Sequence, residues 1–152
     1  MIKTRGFAVV TGYANHKINL PGRKTPQSAG YDIEAADDAV LPPGQVTLVP
    51  TGLKAYMQDD EYLSIHIRSG FSIKKAVSLI NGQGIIDADY YNNPDNEGHI
   101  MIALFNHSVV PVAVKKGDRV VQGIFCRYFL TGDDREEGKT VRLGGFGSTH
   151  GF

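Results

Sequence analysis

Short hydrophobic segments with a two-residue period run along the whole chain, and this pattern most constrains its fold. The segment YLSIHIR (62–68) alternates apolar and polar residues, as expected for a half-buried strand. Similar short segments are FAVVTGY, QVTLVPTGL, VSLI, HIMIALFN, VPVAVKK and RVVQGIFCRYFL, and the turn-forming sequences PPG, NG and KGD separate them. Only SIKKA offers a helical turn. The pattern predicts an all-β antiparallel fold, either a sandwich, a jelly roll or a small barrel.

The length of 152 residues predicts a single domain over 1–152. A chain of this size buries roughly two thirds of its unfolded surface, which is enough for one core. No internal repeat or linker divides the sequence.

The charge and cysteine content exclude several functional classes. Sixteen basic and sixteen acidic residues cancel, so nucleic acid and anionic membranes are disfavoured as partners and any polyanion site must be local. The single Cys126 excludes an intramolecular disulfide framework, and the first residues lack an apolar signal segment. We therefore expect a cytoplasmic protein, either bacterial or from a virus or phage acting in its host.

Two carboxylates dominate the segment INGQGIIDADYYN. Asn81–Gly82 predicts a hairpin turn, and Asp87 and Asp89 would lie on one face of the following strand, roughly 6–7 Å apart. Such a pair could hold a divalent metal or supply a general base, or it could be a solvated pair at a strand end.

Two other polar groups could bind phosphate. Arg68, Ser69 and Gly70 follow an alternating strand and offer a guanidinium, a hydroxyl and an open backbone N–H, although an ordinary strand-ending turn has the same sequence. Arg119 and Gln122 in RVVQ and Asp32 in AGYD are unremarkable when each is taken alone.

The glycine-rich C-terminus, RLGGFGSTHGF, lacks the lysine and the following helix of a P-loop. A frayed terminus is one interpretation. Phe146 favours another, because a large aromatic residue between glycines suits a flap that orders over a ligand.

Five segments in this order resemble the signature motifs of the trimeric dUTPase family: AGYDIEAA, RSGFSIKKAV, NGQGIIDADYYN, RVVQGIF and RLGGFGSTHG. The resemblance implies a jelly-roll subunit with a mobile C-terminal arm over about 133–152. It also implies a homotrimer with shared active sites and Mg²⁺-dependent hydrolysis of dUTP to dUMP and pyrophosphate.

The resemblance also implies a role for each motif residue. Asp87 would be the base that activates water, and Asp32 would hold a water on the magnesium ion. The substrate-binding residues would be Asn81, Gly84 and Ile86 for the uracil, Tyr90 for the deoxyribose, and Arg68, Ser69, Gly70 and Gln122 for the phosphates. From the arm of another chain, Arg142, Phe146, Gly147, Ser148 and Thr149 would close over the nucleotide.

Three features depart from the family pattern. The arm arginine stands one position later than usual, at Arg142, with Val141 in the usual place. His150 replaces a usual glycine, and the segment 91–97 replaces a short turn. We expect that insertion to be a tolerated surface loop that hydrolysis does not need.

Two alternative functions remain open at this stage. A dCTP deaminase would share the fold, but it would carry a catalytic glutamate where this chain has Ala103. A regulatory or binding protein on the same scaffold, with weak or no catalysis, would use the insertion 91–97 as its interaction surface.

Overall fold

The computed structural model describes residues 4–145. In that range the strands are β1 (Gly6–Val9), β2 (Tyr31–Glu34), β3 (Ala39–Leu41), β4 (Val46–Pro50), β5 (Leu53–Tyr56), β6 (Glu61–Ile67), β7 (Val77–Leu79), β8 (Gly84–Asp87), β9 (Met101–Asn106), β10 (Val112–Val114) and β11 (Arg119–Arg127). The α-helix is α1 (Ser69–Lys75), and 3₁₀ turns occupy Thr11–Tyr13 and Ala88–Tyr90.

All strand pairs among these residues are antiparallel. The larger sheet has the order β2-β11-β6-β8, the smaller has the order β4-β9-β7, and β1-β5 and β3-β10 form two ribbons. This architecture confirms the prediction of an all-β, jelly-roll-like domain. None of the helices within 4–145 is both long and apolar enough to span a bilayer.

Alternating side chains build the core between the two sheets. In β9 every second residue is buried, and Ile102 and Leu104 are at most 1% exposed. In β6, Leu63 and Ile65 face them from the larger sheet. Burial of each such side chain contributes about 1.5–3 kcal/mol to the free energy of folding. Because the apolar residues recur with a period of two, this gain determines which face of each strand turns towards the core.

A β-bulge in β11 sets the register of the larger sheet. The ladder between β11 and β2 shifts between Arg119 and Val121, and the adjacent Val120 and Val121 are both fully buried. The extra residue of a bulge allows this departure from strict alternation. As a result, Gln122 lies opposite Asp32 of β2.

The turn at Asn81–Gly82 connects the two sheets. Within the described chain, β7 pairs with β9 in the smaller sheet, whereas β8 pairs with β6 in the larger one. The prediction of a hairpin was wrong, because the strands on either side of the turn do not pair with each other. Their separation leaves a gap between the sheets.

Candidate active site

The gap beside this turn forms a cleft of about 200 Å³. Its walls come from β6 and β8 of the larger sheet and from β7 and β9 of the smaller sheet, with the lining residues Ile65, Leu79, Gly84, Ile85, Ile86, Met101, Ile102 and Ala103. The remaining lining residues are Asn81, Asp87, Tyr90, Arg142 and Gly145. The cleft therefore brings together the residues predicted to act as general base (Asp87), to bind uracil (Asn81, Gly84 and Ile86) and to bind the deoxyribose (Tyr90). Met101 and Ile102 were not assigned from sequence, because their alternation marks them only as strand residues.

The two carboxylates that the sequence placed on one strand lie in different elements. Asp87 ends β8, whereas Asp89 belongs to the 3₁₀ turn Ala88–Tyr90, so the prediction that both lie on one strand was wrong. They nevertheless face the same group, the guanidinium of Arg142. Its Nη2 lies 2.5 Å from Asp87 Oδ2 and its Nε lies 2.7 Å from Asp89 Oδ1.

Arg142 occupies the cleft in spite of its shifted position in the motif. Its side chain is 20% exposed, whereas Val141, in the usual place of the arginine, is 86% exposed. Since Asp87 and Asp89 are both more than half exposed, solvent screens these ion pairs and each contributes little to stability. Arg142 can therefore leave these two carboxylates for a bound anion at a small cost in free energy.

Tyr90 is a buried wall of the cleft, with 7% exposure. Its hydroxyl donates to the carbonyl of His99 (2.8 Å) and accepts from Nδ2 of Asn96 (2.7 Å). Burial raises the pKa of the Tyr90 hydroxyl. A Cβ placed on Gly145 would lie 2.8 Å from the ring, so glycine lets the arm backbone pack on Tyr90.

The arm contacts its own chain in this structure. Residues 128–145 form no helix or strand, and Arg142 and Gly145 line the cleft of the chain to which they belong. Two carboxylates of the same chain lie within reach of the Arg142 guanidinium. That the arm serves the site of another chain stays a prediction.

A second polar cluster surrounds Asp32. The carboxylate of Asp32 is 12% exposed and lies between two arginines, with Oδ1 3.0 Å from Nε of Arg68 and Oδ2 3.4 Å from Nη1 of Arg119. The sequence singled out Arg119 together with Gln122 in RVVQ but assigned it no role in the site. Asp32 therefore fixes the orientation of Arg68, a phosphate-binding candidate, and of Arg119.

Ser69, Gly70 and Gln122 complete this second cluster. Together with Gly30, Asp32 and Arg68 they line a cavity of about 220 Å³. Ser69 and Gly70 are exposed residues that begin α1, so the segment is a helix start rather than a simple strand-ending turn. The Gln122 side chain fills the space that a Cβ on Gly30 would need, which explains glycine at that position.

The two clusters are far apart within one chain. Asp87 pairs with Tyr62 of β6, and Gln122 pairs with His66 of the same strand on the other side. Asp87 and Gln122 are offset by four residues along β6 and by two strand spacings across the sheet. Their Cα atoms are therefore about 16 Å apart. Their two cavities share no lining residue. Within one chain, Asp87 and Gln122 therefore line separate cavities.

The candidate residues Phe146, Gly147, Ser148 and Thr149 lie outside the described residues, as does His150. Between residues 4 and 145 no three His, Cys, Asp or Glu side chains are grouped closely enough to hold a metal ion.

Comparison with known proteins identifies the family. The dUTPase family model matches residues 16–150. A deoxyuridine 5'-triphosphate nucleotidohydrolase from Lactococcus lactis is 52% identical over 148 residues, which cover 97% of this chain and 99% of that protein. The chain belongs to the dUTPase family. A dUTPase relative from Arabidopsis thaliana is 39% identical over 140 residues.

Solved dUTPase structures share the fold. The crystal structure of a dUTPase from Streptococcus mutans matches with a TM-score of 0.79 and 45% identity, covering 83% of this chain and 98% of that one. A dUTPase from phage phi11 of S. aureus matches with a TM-score of 0.73 at 19% identity, a likeness of fold alone.

Proposed function

We propose that this protein hydrolyses dUTP to dUMP and pyrophosphate, which limits uracil in DNA and supplies dUMP for dTMP synthesis. The observation that carries the proposal is the position of Asp87 at the edge of an apolar cleft, whose turn and wall come from the segment that resembles the third motif of this family. The reaction takes place where the nucleotide pool is, in the cytoplasm of a bacterium or of a phage host.

Asp87 acts as the general base. The attacking water is assigned to the Asp87 carboxylate, whose Oδ2 is released when Arg142 moves to the phosphate. The carboxylate takes a proton from this water as its oxygen forms a bond to the α-phosphorus, and the bond from that phosphorus to the bridging oxygen breaks to release pyrophosphate. A positioned base of this kind contributes typically about 10²–10⁴ in rate.

The cleft selects the base and the sugar. Asn81 and the backbone at Gly84 and Ile86 read the polar edge of uracil, while the apolar walls hold its ring. The ring of Tyr90, held by its two hydroxyl hydrogen bonds, packs on the deoxyribose and excludes a 2′-hydroxyl.

Arg68, Ser69, Gly70 and Gln122 bind the phosphates from the second cavity. Asp32 offers one carboxylate, which suits a Mg²⁺ ion that the nucleotide oxygens and waters coordinate, because this ion keeps several waters when bound. The assignment of Asp32 is to hold such a water while it also holds Arg68 and Arg119. Magnesium would supply neutralisation of phosphate charge.

The arm closes the site. Arg142 exchanges its carboxylate partners for phosphate, Phe146 stacks on uracil, and Gly147, Ser148 and Thr149 bind the γ-phosphate. Closure excludes water and strengthens the phosphate contacts, and opening releases the products.

The active protein is a homotrimer with shared sites. The separation of about 16 Å between Asp87 and Gln122 supports this assembly, since both must act at one phosphorus. A neighbouring chain that presents its phosphate cluster to the cleft would satisfy both requirements.

The test is pyrophosphate release from dUTP, dTTP, dCTP and UTP in the presence of Mg²⁺. We expect turnover of dUTP and little turnover of the other three, because buried hydrogen-bonding groups matched to one base edge stay unpaired against another. Release of ammonia from dCTP would favour deamination instead, although Ala103 leaves no carboxylate on that wall of the cleft. Binding of dUTP without turnover would favour a regulatory protein.

Tyr90→Ala is expected to raise the turnover of UTP relative to dUTP, because the cavity left by the ring admits a 2′-hydroxyl. The variant also loses a buried side chain and becomes less stable. The measurement is the ratio of kcat/KM for the two substrates in one preparation, since a smaller folded fraction cancels in the ratio. An unchanged ratio would remove Tyr90 from sugar selection.

A further inference from the structure

The segment 91–97, termed here the 91–97 loop, is a folded unit with its own hydrogen-bond network. Asn93 is 5% exposed and lies at its centre. Its Nδ2 donates to the carbonyl of Tyr90 and to Oδ1 of Asn96, both at 2.8 Å. Its Oδ1 accepts from the backbone N–H groups of Asp95 and Asn96, both at 3.1 Å. The sequence-based picture of a loose surface insertion does not describe this arrangement.

Glu97 fastens the end of the loop to the body of the protein. Its carboxylate accepts from Nζ of Lys54 (2.5 Å), and from the backbone N–H (2.9 Å) and hydroxyl (3.0 Å) of Thr11. The hydrogen bond from Lys54, with those from Thr11, lowers the pKa of Glu97 to about 2. Lys54 is itself a buried residue of β5, so the loop is tied to the core.

Asn96, near the end of the loop, joins the loop to the wall of the cleft. Nδ2 of Asn96 donates to the Tyr90 hydroxyl, and Oδ1 of the same side chain accepts from the backbone N–H of Gly98 (3.1 Å). The loop and the buried wall of the cleft are therefore one rigid unit.

The other side of this unit carries the arm. The backbone N–H of Asp95 donates to the carbonyl of Leu143 at 3.2 Å. A Cβ placed on Gly144 would lie 2.8 Å from Oδ2 and 2.9 Å from Cβ of Asp95, so the arm passes the loop at a distance that only glycine allows. On either side of this contact, Arg142 reaches Asp87 and Gly145 reaches Tyr90.

We propose that the 91–97 loop is the docking platform of the C-terminal arm, and that it holds residues 142–145 in place over the cleft. The proposal deepens the assignment as a dUTP hydrolase and rests on it. The hydrogen bonds that hold the platform involve no residue of the arm, so docking need order only the arm, and this preorganisation lowers the entropic cost of closure. The insertion is thus needed for efficient use of the nucleotide, in contrast to the expectation from sequence.

A double-mutant cycle tests the proposal. Gly144→Ala adds a methyl group that meets Asp95, and we expect the KM for dUTP to rise about tenfold, a usual size for a group that does not fit. Asp95→Gly removes the opposing atoms, so the double variant should recover to within a few fold of the wild type. Gly132→Ala is the matched control, because no atom lies within 4 Å of its added Cβ, and it should behave as the wild type.

Limited trypsin digestion gives a second readout that does not depend on catalysis. Both Arg142 and Lys139 are ion-paired, but docked Arg142 is 20% exposed, whereas Lys139 on the same arm is 46% exposed. Cleavage after Arg142, relative to cleavage after Lys139, should be faster in Gly144→Ala and should return towards the wild-type rate in the double variant. A double variant no better than Gly144→Ala in both KM and digestion would overturn the proposal. Restored protection in a protein that never hydrolyses dUTP would leave the docking intact and remove only the proposed function.

Discussion

Replacing Asp87 with Asn is expected to lower kcat for dUTP by about 10²–10⁴, the usual effect of removing a positioned general base. The amide cannot accept the proton of the attacking water, but it has the same shape as the carboxylate. Asp87 is half exposed at the end of β8, so the fold does not depend on its charge. The measurement is kcat from pyrophosphate release. Titration with a dUTP analogue that has nitrogen in the α–β bridge should show nucleotide affinity within a few fold of wild type.

Asp89→Asn is the matched control. Asp89 also binds Arg142 and is similarly exposed, but it lies in the 3₁₀ turn and does not line the cleft. Both variants weaken the hold on Arg142, so only a role at the reacting phosphorus separates them. We expect kcat of Asp89→Asn within a few fold of the wild type. Near-normal turnover by folded Asp87→Asn, or equal losses in the two variants, would be inconsistent with Asp87 as the base.

The sequence predicted most strands because their signal is local. The alternation in β6 and β9 follows directly from one face packing on the core. Pairing between strands is a long-range property, and there the prediction failed. The Asn81–Gly82 turn has the sequence of a hairpin, yet β7 and β8 bind different sheets because their partners, β9 and β6, lie elsewhere in the chain.

The grouping of candidate residues in the cleft was predictable where these residues are close in sequence, as in the segment from Asn81 to Tyr90. What sequence could not supply were contacts between distant segments. Arg142 meets Asp87 55 residues away. Asp32 binds Arg119, which is 87 residues away, and the sequence around either residue does not predict this ion pair. The internal order of the 91–97 loop was not predictable either, since its amide-rich sequence is typical of solvent-exposed turns and does not reveal that Asn93 is buried.

Mixed trimers of Asp87→Asn and Gln122→Ala chains are expected to recover activity that neither variant has alone. Each variant loses one of the two groups that act on the α-phosphate, so each homotrimer should be nearly inactive. Because the Cα atoms of Asp87 and Gln122 lie about 16 Å apart in one chain and the two residues line separate cavities, we expect them to serve the same phosphorus when they come from different chains. The chains are unfolded together in equal amounts and reassembled, and co-purification of two different tags on the variants shows that they have mixed.

Random assembly sets the size of the recovery. A site is intact when its cleft comes from a Gln122→Ala chain and its phosphate cluster comes from an Asp87→Asn chain. Each of these two conditions is met in half of the sites, so a closed trimer should show about a quarter of the wild-type activity. The matched control mixes wild-type chains with chains that carry both substitutions. Sites shared between chains predict about a quarter for this mixture as well, whereas sites within one chain predict about a half for the control and none for the first mixture. Equal recovery in both mixtures therefore identifies a shared site, and a silent first mixture with a half-active control would show that one chain brings Asp87 and Gln122 together by itself.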